Sequence, residues 1–377
     1  MNDSVNERLR HIVNIHFDPQ NGSQYWLEKE KSLGLDIRKE LRTIEDLPLL
    51  GVMDEQALTN RPIKDFIPKI FSDCRDYIIA ETAGTMDRPK TAIHRNDEFY
   101  SAFVAPFIEA AKICNFPTEG HWLFIGPTGP HIIGQSAKAC SSALGCGDIF
   151  RIDFDPRWAK TLLPGSFAAK RYLGHIERQS LAILDVQNIS VIFSTPAVLE
   201  NLSEKLTHSQ KQNISGIHLG GMAASNEFMR KLTLSFPNAV ILSGYGNTLF
   251  GLMPHLNYDN GTGFDYFPLG NRLVVQIIEE LEDSFQADNM KIVKYGQRGR
   301  IVMTRLDEFQ LIVNMAERDT AVRIAHSEGY EGTYEQWQDS SIDPKQTCQQ
   351  CHMPTVVRKV TQAKDAVTKG VNLCHFC

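Results

Sequence analysis

A chain of 377 residues exceeds what one hydrophobic core usually serves, so two or more subdomains are expected. Its 42% hydrophobic and 22% charged residues describe an ordinary globular protein, and a net charge of −6 argues against a nucleic-acid partner. No apolar run approaches the roughly 20 residues needed to span a bilayer. The polar start, "MNDSVNERLRHIVNIHFDPQ", lacks the apolar stretch of a signal peptide, so a cytoplasmic protein with reduced or metal-bound cysteines is expected.

In chain order, residues 1–75 read as mostly helical and partly irregular, with "SQYWLEKEKSLGLD" helical and "TIEDLPLLGVMDEQAL" joining short helices through turns. Strand and helix signals then alternate over 76–270. "HWLFIG" (121–126), "IFRIDF" (149–154) and "SVIFST" (190–195) read as short buried strands. Pro196 opens a helix, "AVLENLSEKL"; strand "GIHLGG", helix "SNEFMRKLTLSF" and strand "AVILSGYG" follow. This spacing implies parallel crossovers in an α/β sheet. Residues 271–330 change texture: "RLVVQIIEE", "RGRIVMTRL" and "EFQLIVNM" read as successive strands of an antiparallel sheet or small barrel. Residues 331–377 form a polar, cysteine-containing tail, with a boundary near 330.

"ETAGTMDRPK" (81–90) follows the apolar run "DYIIA" and mixes small residues, hydroxyls and a lysine. Backbone N–H groups and hydroxyls cradle phosphate, and a lysine supplies charge. The stretch does not satisfy the Gly-x-x-x-x-Gly-Lys-Ser/Thr pattern, so a polar turn after a strand is the rival reading. Three later segments bear on the choice: "HLGGMAAS" (218–225), "SGYGNTLFG" (243–251) and "GQRGRIVMTRLDEFQLIVNMAERD" (296–319). In this order the four resemble the core motifs of the adenylate-forming superfamily of acyl-CoA synthetases, luciferases and adenylation domains. "TIEDLPLL" and the "AERD" ending are similar to the phenylacetate–CoA ligase branch.

The resemblance implies the large N-terminal domain of that α/β fold, spanning 1–330: parallel sheets plus a small β-barrel-like part. It also implies ATP and magnesium as cofactors and a carboxylic acid activated as an acyl-adenylate. By position, Thr82, Gly84, Thr85 and Lys90 would wrap the triphosphate. Gly220 and Gly221 would lie along the adenine, and Tyr245 would stack near it, within the stretch that also holds Gly246 and Asn247. Thr248 would reach the α-phosphate and the substrate carboxylate. Asp319 would bind the ribose hydroxyls, since one carboxylate can accept from both members of a cis-diol. The sequence departs from the family at Met86-Asp87, at Leu249 where a metal-holding glutamate is usual, and at Asn314-Met315 where an Arg-Tyr pair is usual. Leucine offers no oxygen to a hard cation. Fewer than 60 residues follow Asp319, so the usual C-terminal domain is expected to be missing, and the acyl acceptor would be a separate protein or a free nucleophile. A catalytically impaired binding or scaffold protein is the alternative.

"GPTGPHIIG" (126–134) and "IDFDPRW" (152–158) further resemble the truncated acid-activating proteins of phenazine antibiotic (D-alanylgriseoluteic acid) biosynthesis, implying an aromatic acid. His131, with Phe124 and Trp158, would then line or support the acid pocket. Phe124 and Trp158 read more readily as core residues. The resemblance also implies a homodimer. In the tail, Cys348 and Cys351 form one CxxC and Cys374 and Cys377 another, with 22 residues between the pairs. Two such hooks suit a tetrahedral structural zinc ion. "CQQCH" also matches c-type haem attachment, and acyl-protein synthetases of bacterial luminescence carry an acyl group on a cysteine near their end. Cys74, Cys114, Cys140 and Cys146 read as buried hydrophobes.

Overall fold

The computed structural model describes residues 2–84, 88–259, 263–279, 290–324 and 356–359. Two compact units emerge, one from the described residues of Met1–Ile79, Lys90–Phe99 and Asp265–Val360, the other from those of Ala80–Pro89 and Tyr100–Phe264. Strands β1 (Tyr77–Glu81) and β2 (Thr91–Arg95) form a two-stranded sheet flanking the 82–90 loop.

The second unit is the α/β body. Its strands are β3 (His121–Ile125), β4 (Phe150–Ile152), β5 (Ile189–Ser194), β6 (Gly216–Leu219), β7 (Val240–Asn247) and β8 (Gly251–Asp259). They lie in the order β8-β7-β6-β5-β3-β4, with every pairing from β7 to β4 parallel and β8 antiparallel to β7. Buried on both faces, these strands are near-continuous apolar runs, as "SVIFS" and "WLFI" suggested. Thr195 follows β5 and caps helix Pro196–Ser203 by accepting from the Val198 N–H at 3.4 Å, with Pro196 preset at the first helical position. Ser225 caps helix Asn226–Ser235 in the same way. Phe124, Phe193 and Trp122 fill the core.

The first unit gathers the N-terminal helices Asn2–His16 and Gln24–Leu33 with strands β9 (Gly263–Tyr266), β10 (Leu273–Ile278), β11 (Arg298–Arg305), β12 (Ile312–Ile324) and β13 (Val356–Lys359). Strands β10, β11, β12 and β13 pair antiparallel in sequence order, the sheet of the two alternatives offered by the sequence. "TIEDLPLL" folds as the 3₁₀ turn Ile44–Leu50, with Thr43 and Asp46 in a reciprocal capping box. Asn314 receives a physical explanation here. It adopts φ 50° in β12, a left-handed conformation that asparagine tolerates, and its amide donates to the Leu47 carbonyl at 2.7 Å and the Gly51 carbonyl at 2.8 Å. This residue is a structural bolt between β12 and the 3₁₀ turn.

The unit also buries a charged network. Asp307 accepts two hydrogen bonds from Arg272, at 3.0 and 2.7 Å, and one from Arg305 at 2.6 Å, and none of these three side chains is appreciably exposed. Flanking guanidinium groups hold the Asp307 carboxyl well below the usual carboxylate range despite burial. His16 Nε2–H donates to the Asp307 carbonyl (3.1 Å), and its Nδ1 lies 3.1 Å from Ser23 Oγ, closing the same network.

Candidate active site

In an open α/β sheet, ligands bind beyond the carboxyl ends of the parallel strands, where the strand order reverses. Here the chain runs from β3 outward to β4, then returns to β5 on the other side, so the reversal lies between β3 and β5. Ser194 Oγ donates to the Ile125 carbonyl across that junction at 2.7 Å.

Two of the expected residue groups end adjacent strands along this edge. Gly220 and Gly221 follow β6, and Asn247 and Thr248 close β7. The Gly220 N–H donates to the Ser194 carbonyl at 3.3 Å, and Gly221 takes φ 75°, open to glycine at little cost. Asn247 Oδ1 accepts from the Leu249 and Phe250 N–H groups at 2.9 and 3.2 Å, which shapes the turn that carries Thr248. Tyr245 and Thr248 are buried. Gly246 is dictated by packing, because a Cβ there would sit 1.8 Å from the Gly251 carbonyl oxygen across the β7–β8 hairpin. Leu249 is 1% exposed, so the departure from the family's glutamate is an apolar core side chain.

Thr82 and Gly84 follow β1 and reach the same edge. The Glu81 N–H donates to the Pro130 carbonyl at 2.9 Å, tying the loop to the segment after β3. In that segment Thr128 donates through its N–H (2.7 Å) and hydroxyl (2.8 Å) to Asp153 after β4. His131 opens helix Ile132–Ala143 and is 4% exposed. Burial, reinforced by the Arg157 charge, lowers its pKa, so the imidazole is neutral at pH 7. Phe124 is wholly buried against Phe193 and belongs to the core. Trp158 corrects the core reading: it is 48% exposed, resting edge-on against Tyr172 at 4.6 Å.

Lys90 and Asp319 lie in the first unit. Lys90 pairs with Glu55 at 2.7 Å, and Asp319 sits half-buried on β12. Thr85, Met86 and Asp87, and the four tail cysteines Cys348, Cys351, Cys374 and Cys377, lie outside the described residues. Of the other cysteines, Cys140 is buried as expected, while Cys74, Cys114 and Cys146 are only half-buried. Among the described residues no cluster of three or more His, Cys, Asp or Glu could hold a metal ion, and no helix is long and apolar enough to cross a membrane.

Sequence reasoning missed Arg157 and Lys160. Both reach carbonyls of the 82–84 loop, Arg157 that of Thr82 and Lys160 that of Ala83. The carbonyls they hold are main-chain atoms, which leave no mark in the sequence, and the Glu81 carboxylate that also pairs with Arg157 lies 76 residues away.

No family model and no curated protein matches the chain. Among solved structures, 2-hydroxyisobutyryl-CoA ligase bound to 2-HIB-AMP and CoA superimposes with a TM-score of 0.62 at 14% identity, covering 86% of this chain and 64% of the ligase. The same ligase in its postadenylation state with R3-HIB-AMP gives 0.63 at 13% identity, with the same coverage of 86% and 64%. An open conformation with 2-HIB-AMP and CoA gives 0.63 at 14%, over 86% and 65%. The chain therefore spans just under two thirds of that ligase's length and shares its α/β fold.

Proposed function

We propose that the protein activates a carboxylic acid with ATP. A carboxylate oxygen of the acid attacks the α-phosphorus, the bond to the β-phosphate oxygen breaks, and pyrophosphate leaves with that electron pair. The amides and hydroxyl of the 82–84 loop, with Lys90, bind the phosphates. Thr248 orients the α-phosphate and the incoming carboxylate. Gly220, Gly221 and Tyr245 hold the adenine, and the resemblance assigns the ribose hydroxyls to Asp319. Neutral His131 faces the acid pocket as a hydrogen-bonding wall. The observation that supports this reading is the fold shared with an acid–CoA ligase, in which the loop after β1 is tied to the segments after β3 and β4 at the carboxyl ends of the parallel strands.

ATP brings magnesium with its phosphates, but Leu249 supplies no ligand where a glutamate would. No step here is assigned to the metal. The acid is proposed to be aromatic, after the phenylacetate–CoA ligase-like and phenazine-type resemblance, and the acceptor to be a separate protein or small nucleophile. The tail cysteines are proposed to hold a structural zinc ion. Pyrophosphate exchange into ATP, run with a panel of aromatic acids, tests the reading; folded protein without acid-dependent exchange would refute it. Asp319→Ala with unchanged AMP affinity would refute the ribose assignment. Buried Leu249 favours a second reading, a nucleotide-binding scaffold without turnover, which predicts ATP binding by calorimetry and no exchange.

A further inference from the structure

The loop after β1 is held from one side by two cations. Arg157 Nη2 donates to the Thr82 carbonyl at 3.0 Å and to Glu81 Oε2 at 2.7 Å. Lys160 Nζ donates to the Ala83 carbonyl at 2.8 Å. Both cations come from one short element, the helix Pro156–Ala159 and the residue that ends it. Asp155 fixes that element by accepting from the Arg157 and Trp158 N–H groups, and its own N–H donates to Tyr172 Oη at 2.8 Å.

In a trans peptide the carbonyl and the following N–H point to opposite sides. A cation on the Thr82 carbonyl therefore turns the Ala83 N–H to the other face of the loop. Lys160 on the Ala83 carbonyl does the same to the Gly84 N–H. Gly84 itself takes φ 60°, the left-handed conformation that lets successive amides form an anion-binding concavity. A cation on a carbonyl oxygen also polarises the peptide and strengthens its N–H as a donor. Because Glu81 neutralises Arg157, the arrangement contributes direction more than net positive charge.

We infer that Arg157 and Lys160 are positioning residues for the phosphate loop: they hold the carbonyls of Thr82 and Ala83 so that the amides of Ala83 and Gly84 face the phosphates of ATP. This rests on the acid-activation reading. The two cations act through the backbone and do not touch the reacting atoms.

The test compares wild type with Arg157→Gln, Lys160→Met, the double variant and Lys160→Arg. The readouts are ATP calorimetry, pyrophosphate exchange and thermal melting. Two lost charge-assisted hydrogen bonds weaken ATP binding and raise KM for ATP by about tenfold or more in the double variant. KM for the acid stays unchanged, and Lys160→Arg restores near-wild-type ATP affinity. A purely structural role would instead lower the melting temperature and move both KM values together, with no selective rescue, and would overturn the inference. Folded variants with wild-type ATP affinity would also overturn it. A wild type that binds ATP but shows no acid-dependent exchange would refute the acid-activation reading alone; the variants' loss of ATP affinity would still support the positioning role. A wild type that binds no ATP refutes both.

Discussion

Acidification should unfold this protein early, through two buried imidazoles. His16 in the first unit and His218 in the second are both fully buried, and burial lowers each pKa from 6.5 to about 4. Unfolded imidazoles take up protons as pH falls through 6.5, whereas the folded ones resist until about 4, so stability is lost as pH falls across that window. At about pH 5 a shift of that size costs on the order of 2 kcal/mol per histidine relative to neutral pH. His131 and His255, also lowered by burial, act in the same sense. Glu98 opposes them, because burial and then Asp307 raise its pKa and the folded state takes up its proton more readily. Asp307 contributes nothing in this range, since its depressed carboxyl matters only below the ordinary aspartate value. Urea unfolding followed by circular dichroism should show a midpoint markedly lower at about pH 5 than at about pH 7.5, with the slope unchanged. His218→Leu keeps an apolar side chain between Phe107 and Phe193 and should remove one imidazole's share of the pH dependence. Equal stability at the two pH values, or a pH dependence that survives His218→Leu intact, would show that these imidazoles are not held neutral by burial.

Three further outcomes follow from particular contacts. Asp307→Asn leaves two buried guanidinium groups short of a counter-charge and should cost roughly 3–5 kcal/mol in urea unfolding, a loss that a surface ion pair would not show. Gly246→Ala must push β7 from β8, because its Cβ would overlap the Gly251 carbonyl; a lower melting temperature together with weaker ATP binding is expected, and a neutral effect would contradict the hairpin geometry. Metal analysis of the freshly purified full chain should find about one zinc per chain, lost on replacing Cys348 and Cys351 by serine; sub-stoichiometric zinc would reject the two-hook site.

The strands β3 to β7 and β10 to β12 were legible because each holds an apolar run, whereas β2, β8, β9 and β13 were not read. "SVIFST" and "GIHLGG" needed only burial on two faces to read as parallel strands. The long helix Phe167–Leu184 was not read, because it exposes Phe167 at 80% and its buried face carries Glu177 and Ser180 beside Ile176 and Leu184. Roles for Thr248 and Asp319 could be proposed from motif order, because side-chain chemistry is written in the sequence. Asn314 looked like a lost functional residue, and only the fold revealed its two carbonyl partners. Leu249 looked anomalous for a related reason, since its burial against the core is a tertiary fact.

The first unit is discontinuous, and that has a consequence during synthesis. Helix Gln24–Leu33 emerges early, but the Trp26 indole N–H finds its acceptor, the Leu311 carbonyl, only after 285 more residues. The intervening second unit has all of its described strands by Phe264. At typical rates of about 5–20 residues per second, the N-terminal helices wait on the order of 15–60 seconds before Trp26 meets its acceptor. A nascent chain stalled near residue 265 should therefore protect the parallel sheet from protease while leaving the N-terminal helices open to cleavage and to chaperone capture.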